Sequence, residues 1–343
     1  MPPEVPHLPG ILSAGEVVET ARAIASVQLP NGCIPPVPGG LADPWNHLEA
    51  AMALDVGGLR AEAAGAYEWL ARTQREDGSW AIGYRNGVVE DGGADANFCS
   101  YIATAAWHHH LAAEDPGFLA RIWPVVDRAI EFTLGLQAPG GEVLWARDAV
   151  GRAWPGALLT SNSCIHLSLG CALAIAEQVG RQRPAWDAAQ AAVGEAIRSR
   201  PAAFEAKDRW SMDWYYPILG RVIDGPAAEA RLKESWDRFV VPGIGVRCVA
   251  DQPWVTVAET CELVLALDAS GWDQEARDLF SWVHKLRGDD GAYWTGITFP
   301  EAELWPEERP TWTSGAVLMA ADALCGASRT SGLFREDFLS RVA

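Results

Sequence analysis

The sequence predicts an all-α protein, an (α/α)6 toroid of six helical hairpins. Three observations point to this fold: an internal repeat, a regular alternation between two kinds of helix, and a near absence of strand patterns, of which Val240–Cys248 is the best. Six hairpins without an obvious polar capping unit favour a closed ring over an open stack. We expect one domain over residues 1–343, with residues 1–12 and 328–343 as terminal extensions.

The internal repeat marks the end of the first helix in a hairpin. Its clearest copy reads W-x4-Q-x3-G-x-W, from Trp69 through Gln74 and Gly78 to Trp80. A polar residue in the last turn followed by glycine is typical of a helix C-terminus. One copy has decayed near residues 185–205. The other copies begin at Phe132, Trp236, Trp282 and, more weakly, Ala23.

The two helices of each hairpin differ in character. The helix that carries the repeat is amphipathic, as in GLRAEAAGAYEWLARTQ, whereas the next helix is apolar nearly all round. An amphipathic helix belongs at the surface and an all-round apolar helix belongs inside, so the second kind forms the inner ring. We predict the inner helices at Trp45–Leu54, Asn97–Leu111, Asn162–Glu177, Met212–Ile223, Val257–Ala269 and Thr313–Leu324.

Composition restricts the partners and the compartment. The chain has 27 basic and 45 acidic residues, a formal charge of −18, so nucleic acid is a poor partner. Seven scattered cysteines without a CxxC pair fit reduced thiols. The first residues lack the pattern of a signal peptide, and no apolar run is long enough for stable membrane insertion. We therefore expect a cytoplasmic protein.

Polar and aromatic residues gather where the inner helices begin. Because these helices run parallel, their first turns meet at one rim, and we expect a cavity there. Carboxylates embedded in apolar surroundings mark candidate sites, so Asp213, Glu259 and Asp95 are the candidate catalytic residues. The candidate substrate-binding residues are Trp45, Asn46, His47, Glu49, Asn97, Phe98, Asn162, Trp214, Tyr215, Tyr216, Trp254, Glu262 and Trp312.

Two carboxylates facing one cavity can divide the work of an acid and a base, one protonated and the other ionised. Simple helix capping is the alternative for several rim residues, since Asp43 and Asp95 are preferred N-cap types and Thr256-x-x-Glu259 has the pattern of a capping box. The run His108–His110 points in different directions on a helix and makes a poor metal site. We expect neither a metal nor a cofactor.

The segment Gln74-Arg-Glu-Asp-Gly78-Ser-Trp80 resembles the QW repeat of the squalene–hopene cyclase and protein prenyltransferase β-subunit superfamily. The resemblance covers most of the chain through its weaker copies, and it implies an α/α toroid that acts on isoprenoids. The chain departs from the family in lacking both the Asp-x-Asp-Asp acid motif and an Asp-x-Cys zinc pair. No catalytic residue of the family can therefore be carried over.

Three hypotheses follow. The first two are enzymes with a small-molecule substrate, isoprenoid or sugar-like. The repeat favours a terpene-cyclase or prenyltransferase-like enzyme that uses a rim carboxylate as its acid. The polar, carboxylate-rich rim favours a carbohydrate-active six-hairpin enzyme, an inverting glycoside hydrolase or a lyase, with Asp213 and Glu259 as acid and base. The third hypothesis is a non-catalytic toroid that binds a ligand or a partner.

Overall fold

The computed structural model describes residues 5–113 and 115–335, and its helices alternate as predicted. The outer helices are α1 (Ala14–Val27), α3 (Arg60–Thr73), α5 (Phe118–Leu134), α7 (Pro184–Ser199), α9 (Gly225–Phe239) and α11 (Asp273–Val283). The inner helices are α2 (Pro44–Val56), α4 (Ala96–Ala112), α6 (Leu159–Gln178), α8 (Ser211–Leu219), α10 (Val257–Ala269) and α12 (Thr311–Cys325).

The inner helices form a closed ring. Each packs against the next in chain order, and α12 packs against α2, which completes the circle. Nearly every residue of these helices is buried, as expected for helices that are apolar on all sides. The (α/α)6 toroid is confirmed.

The repeated glutamine joins neighbouring outer helices. At the end of α3, the Gln74 side chain donates to the Gly78 carbonyl at 3.0 Å and to the Val125 carbonyl of α5 at 2.8 Å. Gln28 and Gln137 make the equivalent pairs of bonds at the ends of their own helices. Where the ring closes, Arg287 takes the glutamine position and bonds to α1.

The repeated glycine is required by close backbone packing. Gly78 has a φ of +88°, and a Cβ atom there would lie 2.1 Å from the carbonyl oxygen of Arg128. Only glycine tolerates both the left-handed backbone and this approach. The repeat therefore joins neighbouring outer helices to one another.

Within the described residues, nine short strands lie in the connections that lead from outer to inner helices, and the sequence analysis missed most of them. At two to four residues each, they are too short to show an alternating pattern. The predicted strand Val240–Cys248 is in fact a hairpin of β6 and β7. The strands are β1 (Leu41–Ala42), β2 (Gly83–Arg85), β3 (Val88–Asp91), β4 (Ala94–Asp95), β5 (Ala146–Arg147), β6 (Val240–Val241), β7 (Gly245–Arg247), β8 (Trp254–Thr256) and β9 (Gly296–Thr298).

These strands tie neighbouring hairpins together on the face where the inner helices begin. They form three small antiparallel sheets, in the orders β1-β2-β3, β4-β5 and β6-β7-β8-β9. The β4–β5 pair links the entrance of α4 to that of α6, and the β8–β9 pair does the same for α10 and α12. We call this face, residues 29–43, 75–95, 137–158, 200–210, 240–256 and 288–310, the mouth face.

Helix α8 is shorter than predicted. It ends at Leu219 instead of Ile223, because Gly220 presses against the backbone of Ser163 and Arg221 adopts a left-handed φ of 59°. A left-handed residue just past a helix stops its continuation.

The other predicted features have mixed outcomes. All seven cysteines are free thiols, as expected. One helix, α6, is long and apolar enough to cross a membrane, but 72% of its most apolar window is buried inside the ring. The described parts of both tails pack on the ring through Leu12 and Leu333, whereas residues 1–4 and 336–343 of the predicted extensions lie outside the described residues.

Candidate active site

The fourth residue of five inner helices faces outward and accepts a hydrogen bond from the backbone of a mouth-face connection. His47 Nδ1 accepts from the Ile34 N–H at 3.0 Å, and Asn162 Oδ1 accepts from the Val143 N–H at 2.7 Å. Cys99, Thr260 and Ser314 do the same in their helices. A buried backbone N–H needs such a partner.

His47 and Asn162 are therefore structural residues, which corrects their prediction as substrate ligands. His47 Nε2 also lies 3.2 Å from the carbonyl of Ala66, and Asn162 donates to Val143 and Leu158. Burial holds the pKa of His47 near 4, so the ring is a neutral acceptor. Residue type alone did not distinguish a ligand from a backbone partner.

The sixth residue of each inner helix faces the centre of the ring. An α-helix turns 100° per residue, so a residue two positions beyond an outward-facing one points to the opposite side. The sixth residues form a layer beneath the mouth, and its polar members include two carboxylates and two phenols. They are Glu49, Tyr101, Cys164, Tyr216, Glu262 and Ala316.

Aromatic rings converge above this layer. Trp45 on α2 contacts Phe98, Tyr101 and Tyr216, with ring centroids 6.0, 6.0 and 6.2 Å away. Tyr216 belongs to α8, which stands directly opposite α2 in the ring, so this contact spans the centre. Trp45 and Phe98 remain partly exposed, as do Glu49 and Glu262, on helices that are otherwise buried. The mouth is therefore open to solvent down to the carboxylates.

Two tyrosines hold Glu262. Tyr216 Oη donates to Glu262 Oε1 at 2.7 Å, and Tyr215 Oη donates to Oε2. Burial and the nearby Glu259 raise the pKa of Glu262 from 4.5 to about 8, while the two phenol hydroxyls act in the opposite direction. The two hydrogen bonds fix the orientation of the carboxyl group, and its pKa of about 8 lies close to neutral pH.

Glu49 lies near Glu262 but has a different environment. Burial, the charge of Glu262 and the charge of Asp43 raise the pKa of Glu49 well above its ordinary value, and the Trp45 side chain offsets this only in part. No tyrosine hydroxyl holds it. When two carboxyl groups interact and their surroundings differ, the pair favours the state with a single proton over the fully ionised and the doubly protonated states. Because two tyrosine hydroxyls favour the ionised form of Glu262 and no tyrosine among the described residues bonds to Glu49, Glu49 is the better placed of the two to hold the proton.

Asp43 and Asp95 are N-caps, as the capping alternative predicted. Each accepts a hydrogen bond from a backbone N–H in the first turn, Asp43 from Asn46 at 2.9 Å and Asp95 from Phe98 at 3.0 Å. The Asn46 side chain also donates to Asp43, which makes Asn46 part of the cap. Burial raises the pKa of Asp43 to about 6 and that of Asp95 to about 7.

Asp213 and Glu259 are third residues of their helices, and each turns toward the preceding inner helix. Asp213 accepts from Thr160 of α6 at 2.9 Å, and burial raises its pKa. Its charged neighbours are Arg231, Lys207 and Asp208, none of which belongs to the central layer. Glu259 does lie near Glu262. The contacts of Asp213 therefore lie outside the central layer, whereas Glu259 is associated with that layer through Glu262.

The remaining predicted residues divide between the outer layer and the mouth. Trp214 stacks on Phe239 at 5.5 Å and donates to the Arg231 carbonyl, so it packs outward and its prediction as a substrate ligand is corrected. Trp254 and Trp312 are half-buried at the mouth.

Several polar side-chain atoms at the helix entrances lack hydrogen bonds within the described residues, among them those of Asn97, Thr256 and Thr313. Asn97 is buried, and neither its amide oxygen nor its amide nitrogen has a partner among the described residues. Thr256 makes no cap bond, so the predicted capping box is wrong: its hydroxyl is buried without a partner in the described part of the chain.

The central carboxylates have no basic partner. Among residues 5–113 and 115–335, no lysine, arginine or histidine forms an ion pair with Asp43, Glu49, Asp95, Glu259 or Glu262. The same residues contain no group of His, Cys, Asp and Glu side chains with the geometry to hold a metal ion. The arrangement suits proton transfer between carboxyl groups and a bound molecule.

Tyr101 and Cys164 complete the central layer, and the sequence analysis missed both. Burial raises the pKa of each, and charges on Glu49 and Glu262 raise it further, which places both residues beside the two carboxyl groups. The sixth position selects the same face of every inner helix, but it identifies these residues only from the observed starts, because the sequence placed the starts of α4 and α6 at Asn97 and Asn162 instead of Ala96 and Leu159.

Comparisons with known proteins support a carbohydrate enzyme. No protein-family model matches the chain. The chain is 51% identical over 331 residues to the MMP endo-(1,4)-3-O-methyl-alpha-D-mannosidase of Mycolicibacterium hassiacum, covering 96% of this chain and 92% of that protein. A wild-type glycosidase structure shares the fold at a TM-score of 0.71 and 16% identity, over 93% of this chain and 98% of its own. A D-mannose isomerase structure follows at a TM-score of 0.67 and 10% identity, over 91% and 97%.

These findings overturn the prenyltransferase resemblance and the terpene-cyclase hypothesis. The glutamine of the repeat bonds to the repeat glycine and to the neighbouring outer helix. The repeat therefore indicates how the ring is assembled and does not indicate the substrate. The chain is an enzyme that acts on carbohydrate, which was the second hypothesis. It belongs to the family of the MMP endo-(1,4)-3-O-methyl-alpha-D-mannosidase.

Proposed function

We propose that this enzyme hydrolyses internal α-(1,4) bonds in a chain of 3-O-methyl-D-mannose units, as the name of its relative states for that protein. The observation that carries the proposal is the pair Glu49 and Glu262, two half-buried carboxyl groups that have no basic partner among the described residues and lie at the bottom of an open, aromatic mouth. Glycoside hydrolysis needs two such groups flanking the scissile bond.

Glu49 is the proposed general acid. Its raised pKa keeps it protonated near neutral pH, so it can give its proton to the glycosidic oxygen as the bond to the anomeric carbon breaks. The leaving sugar departs as an alcohol, and the proton lost by Glu49 becomes its new hydroxyl hydrogen.

Glu262 is the proposed general base. The two tyrosine hydroxyls favour its ionised form and fix the direction of its oxygens. Because the pKa of Glu262 is about 8, its ionised fraction grows as the pH approaches that value, and we expect activity to rise from neutral toward mildly alkaline pH. It takes a proton from a water molecule, whose oxygen forms the new bond to the anomeric carbon. One water is consumed, and the proton count is restored when Glu262 passes its proton back to solvent or to Glu49.

The apolar surroundings fit a methylated sugar. Trp45, Phe98 and Tyr101 present ring faces and edges to the mouth, and such rings pack against the C–H faces of a sugar and against O-methyl groups. The carboxyl groups of the mouth also have no basic partners among the described residues, which favours an uncharged saccharide chain over an anionic one.

The direct test is to incubate the purified protein with an α-(1,4)-linked 3-O-methylmannose oligosaccharide and, in parallel, with an unmethylated α-(1,4)-mannose oligosaccharide of equal length. We expect new reducing ends from the methylated chain, at a rate well above that from the unmethylated one. Equal inertness toward both chains would contradict the proposal. Cleavage of both chains at one rate would keep the glycosidase and remove the methyl specificity.

A further inference from the structure

Exposed apolar side chains are confined to the mouth face. Within the described residues, every large hydrophobic side chain that is exposed belongs to a connection leading into an inner helix, and the outer helices contribute none. Single exposed apolar residues are ordinary, but their concentration on one face marks a binding surface. They are Leu41, Val88, Val89, Val150, Trp154, Trp210 and Trp305.

Two of these residues belong to tryptophan pairs of the same construction. Trp154 meets Trp145 edge to face at 4.8 Å and 81°, and Trp305 meets Trp254 at 4.7 Å and 85°. In each pair one indole is half-buried and supports the other, which is 46% exposed at Trp154 and 54% at Trp305. The Trp254 indole also donates to the Trp305 carbonyl at 2.7 Å.

The two pairs stand on opposite sides of the mouth. Trp145 and Trp154 lie in the connection into α6, which β4 and β5 join to the start of α4. Trp254 and Trp305 lie at the starts of α10 and α12, which β8 and β9 join. In a ring of six, α4 is opposite α10 and α6 is opposite α12. With neighbouring helices 8–10 Å apart, opposite ones are about 16–20 Å apart.

Both pairs are continuous with the carboxylate site. The Trp145 side chain lies beside the carboxyl group of Asp95, which caps α4 at the rim, and acts to lower its pKa against the larger effect of burial. Trp254 opens the strand that runs directly into α10, the helix that carries Glu262. A straight line from one pair to the other therefore crosses the mouth above the two glutamates.

We infer that the two tryptophan pairs are the outer subsites of a binding track for a long saccharide, which crosses the mouth and is cut between them. The inference rests on the proposed function and adds to it the reason for internal cleavage. An exposed indole offers a large, rigid apolar face at little cost in conformational entropy. A chain with O-methyl groups offers matching apolar surface at every unit, so the track favours length and methylation together.

The test compares two α-(1,4)-linked 3-O-methylmannose oligosaccharides, a short one that fills only the mouth and a long one that reaches both pairs. The variants are Trp154→Ala, Trp305→Ala and the double variant, with Trp154→Phe and Trp305→Phe as conservative counterparts. Trp282→Ala is the matched control, because Trp282 is a half-buried tryptophan of outer helix α11, outside the mouth face and outside either pair.

We expect each alanine variant to raise KM for the long oligosaccharide by about tenfold, a typical loss for an interface tryptophan. We expect kcat and KM for the short one to stay at wild-type values, with phenylalanine restoring most of the loss. If the wild type cuts both substrates and the alanine variants handle the long one normally, the track is wrong and the proposed function stands. If the wild type cuts neither, the proposed function itself fails.

Discussion

Glu49 and Glu262 occupy the same position, the sixth residue, in two inner helices that have α12 between them. The matching position brings both carboxyl groups into one layer, and the closed ring makes that layer converge on a centre. Their difference lies in their partners, because two tyrosine hydroxyls bond to Glu262 and none to Glu49. The proposed division into acid and base follows from that difference.

Replacing the proposed acid tests the assignment of roles. Glu49→Gln keeps the size of the side chain and removes the transferable proton, so kcat should fall by about 10²–10⁴-fold. The melting temperature should not decrease, since a neutral amide replaces a buried carboxyl group. Steady-state kinetics together with thermal unfolding check both expectations.

Asp213→Asn is the informative comparison, because the sequence analysis named Asp213 as catalytic. The structure directs Asp213 toward Thr160 and away from the central layer, so we expect less than about a tenfold loss of kcat, far below the loss from a general acid or base. A loss as large as that of Glu49→Gln would restore Asp213 to the catalytic pair and displace our assignment.

Removing one tyrosine hydroxyl should shift the pH profile. The Tyr216 hydroxyl lowers the pKa of Glu262, so Tyr216→Phe raises it. Since the base must be ionised, the acidic limb of kcat/KM should move to higher pH. The pH dependence of kcat/KM measures the shift, and an unchanged limb with a merely lower rate would assign Tyr216 to packing alone.

The buried carboxyl groups should make stability depend on pH. Glu262 titrates near pH 8 in the folded protein and near 4.5 when exposed. Between these values the folded protein holds a proton that the unfolded chain has lost, so stability falls as the pH rises through this window. Glu262→Gln removes this residue's share of the dependence, so the melting temperature of the variant relative to that of the wild type should be higher at pH 8 than near pH 4.5. A constant difference at all pH values would show that Glu262 is not titrating as described.

Asn162 should matter for stability instead of substrate affinity. Its side chain satisfies the backbone N–H and carbonyl of Val143. Asn162→Ala leaves both groups buried without their partner, which costs about 1–3 kcal/mol of unfolding free energy. Urea unfolding measures this loss. An increase in KM without loss of stability would return Asn162 to the substrate-binding residues.

The sequence predicted the architecture well, because each helix sequence, taken alone, shows whether the helix is amphipathic or apolar on all sides. All six inner helices lie where they were expected, apart from the early end of α8 at the tightly packed Gly220. Most of the short strands were missed, since two to four residues are too few to show an alternating pattern.

The candidate site was predicted at the right rim with the wrong leading residues. Asp213 stood out because tryptophan and tyrosine surround it in the sequence, yet adjacent residues on a helix face different directions. Trp214 points to the outer layer, whereas Tyr215 and Tyr216 reach Glu262. Which face is inward became clear only from the contacts of the fourth residues.

The most direct measurement follows the hydrolysis of an α-(1,4)-linked 3-O-methylmannose oligosaccharide by proton NMR, with the wild type and with Glu262→Gln. The account predicts that the wild type releases internal fragments whose new reducing ends first appear as the inverted, β anomer, and that Glu262→Gln releases almost none. No cleavage by the wild type, or undiminished cleavage by Glu262→Gln, would contradict it.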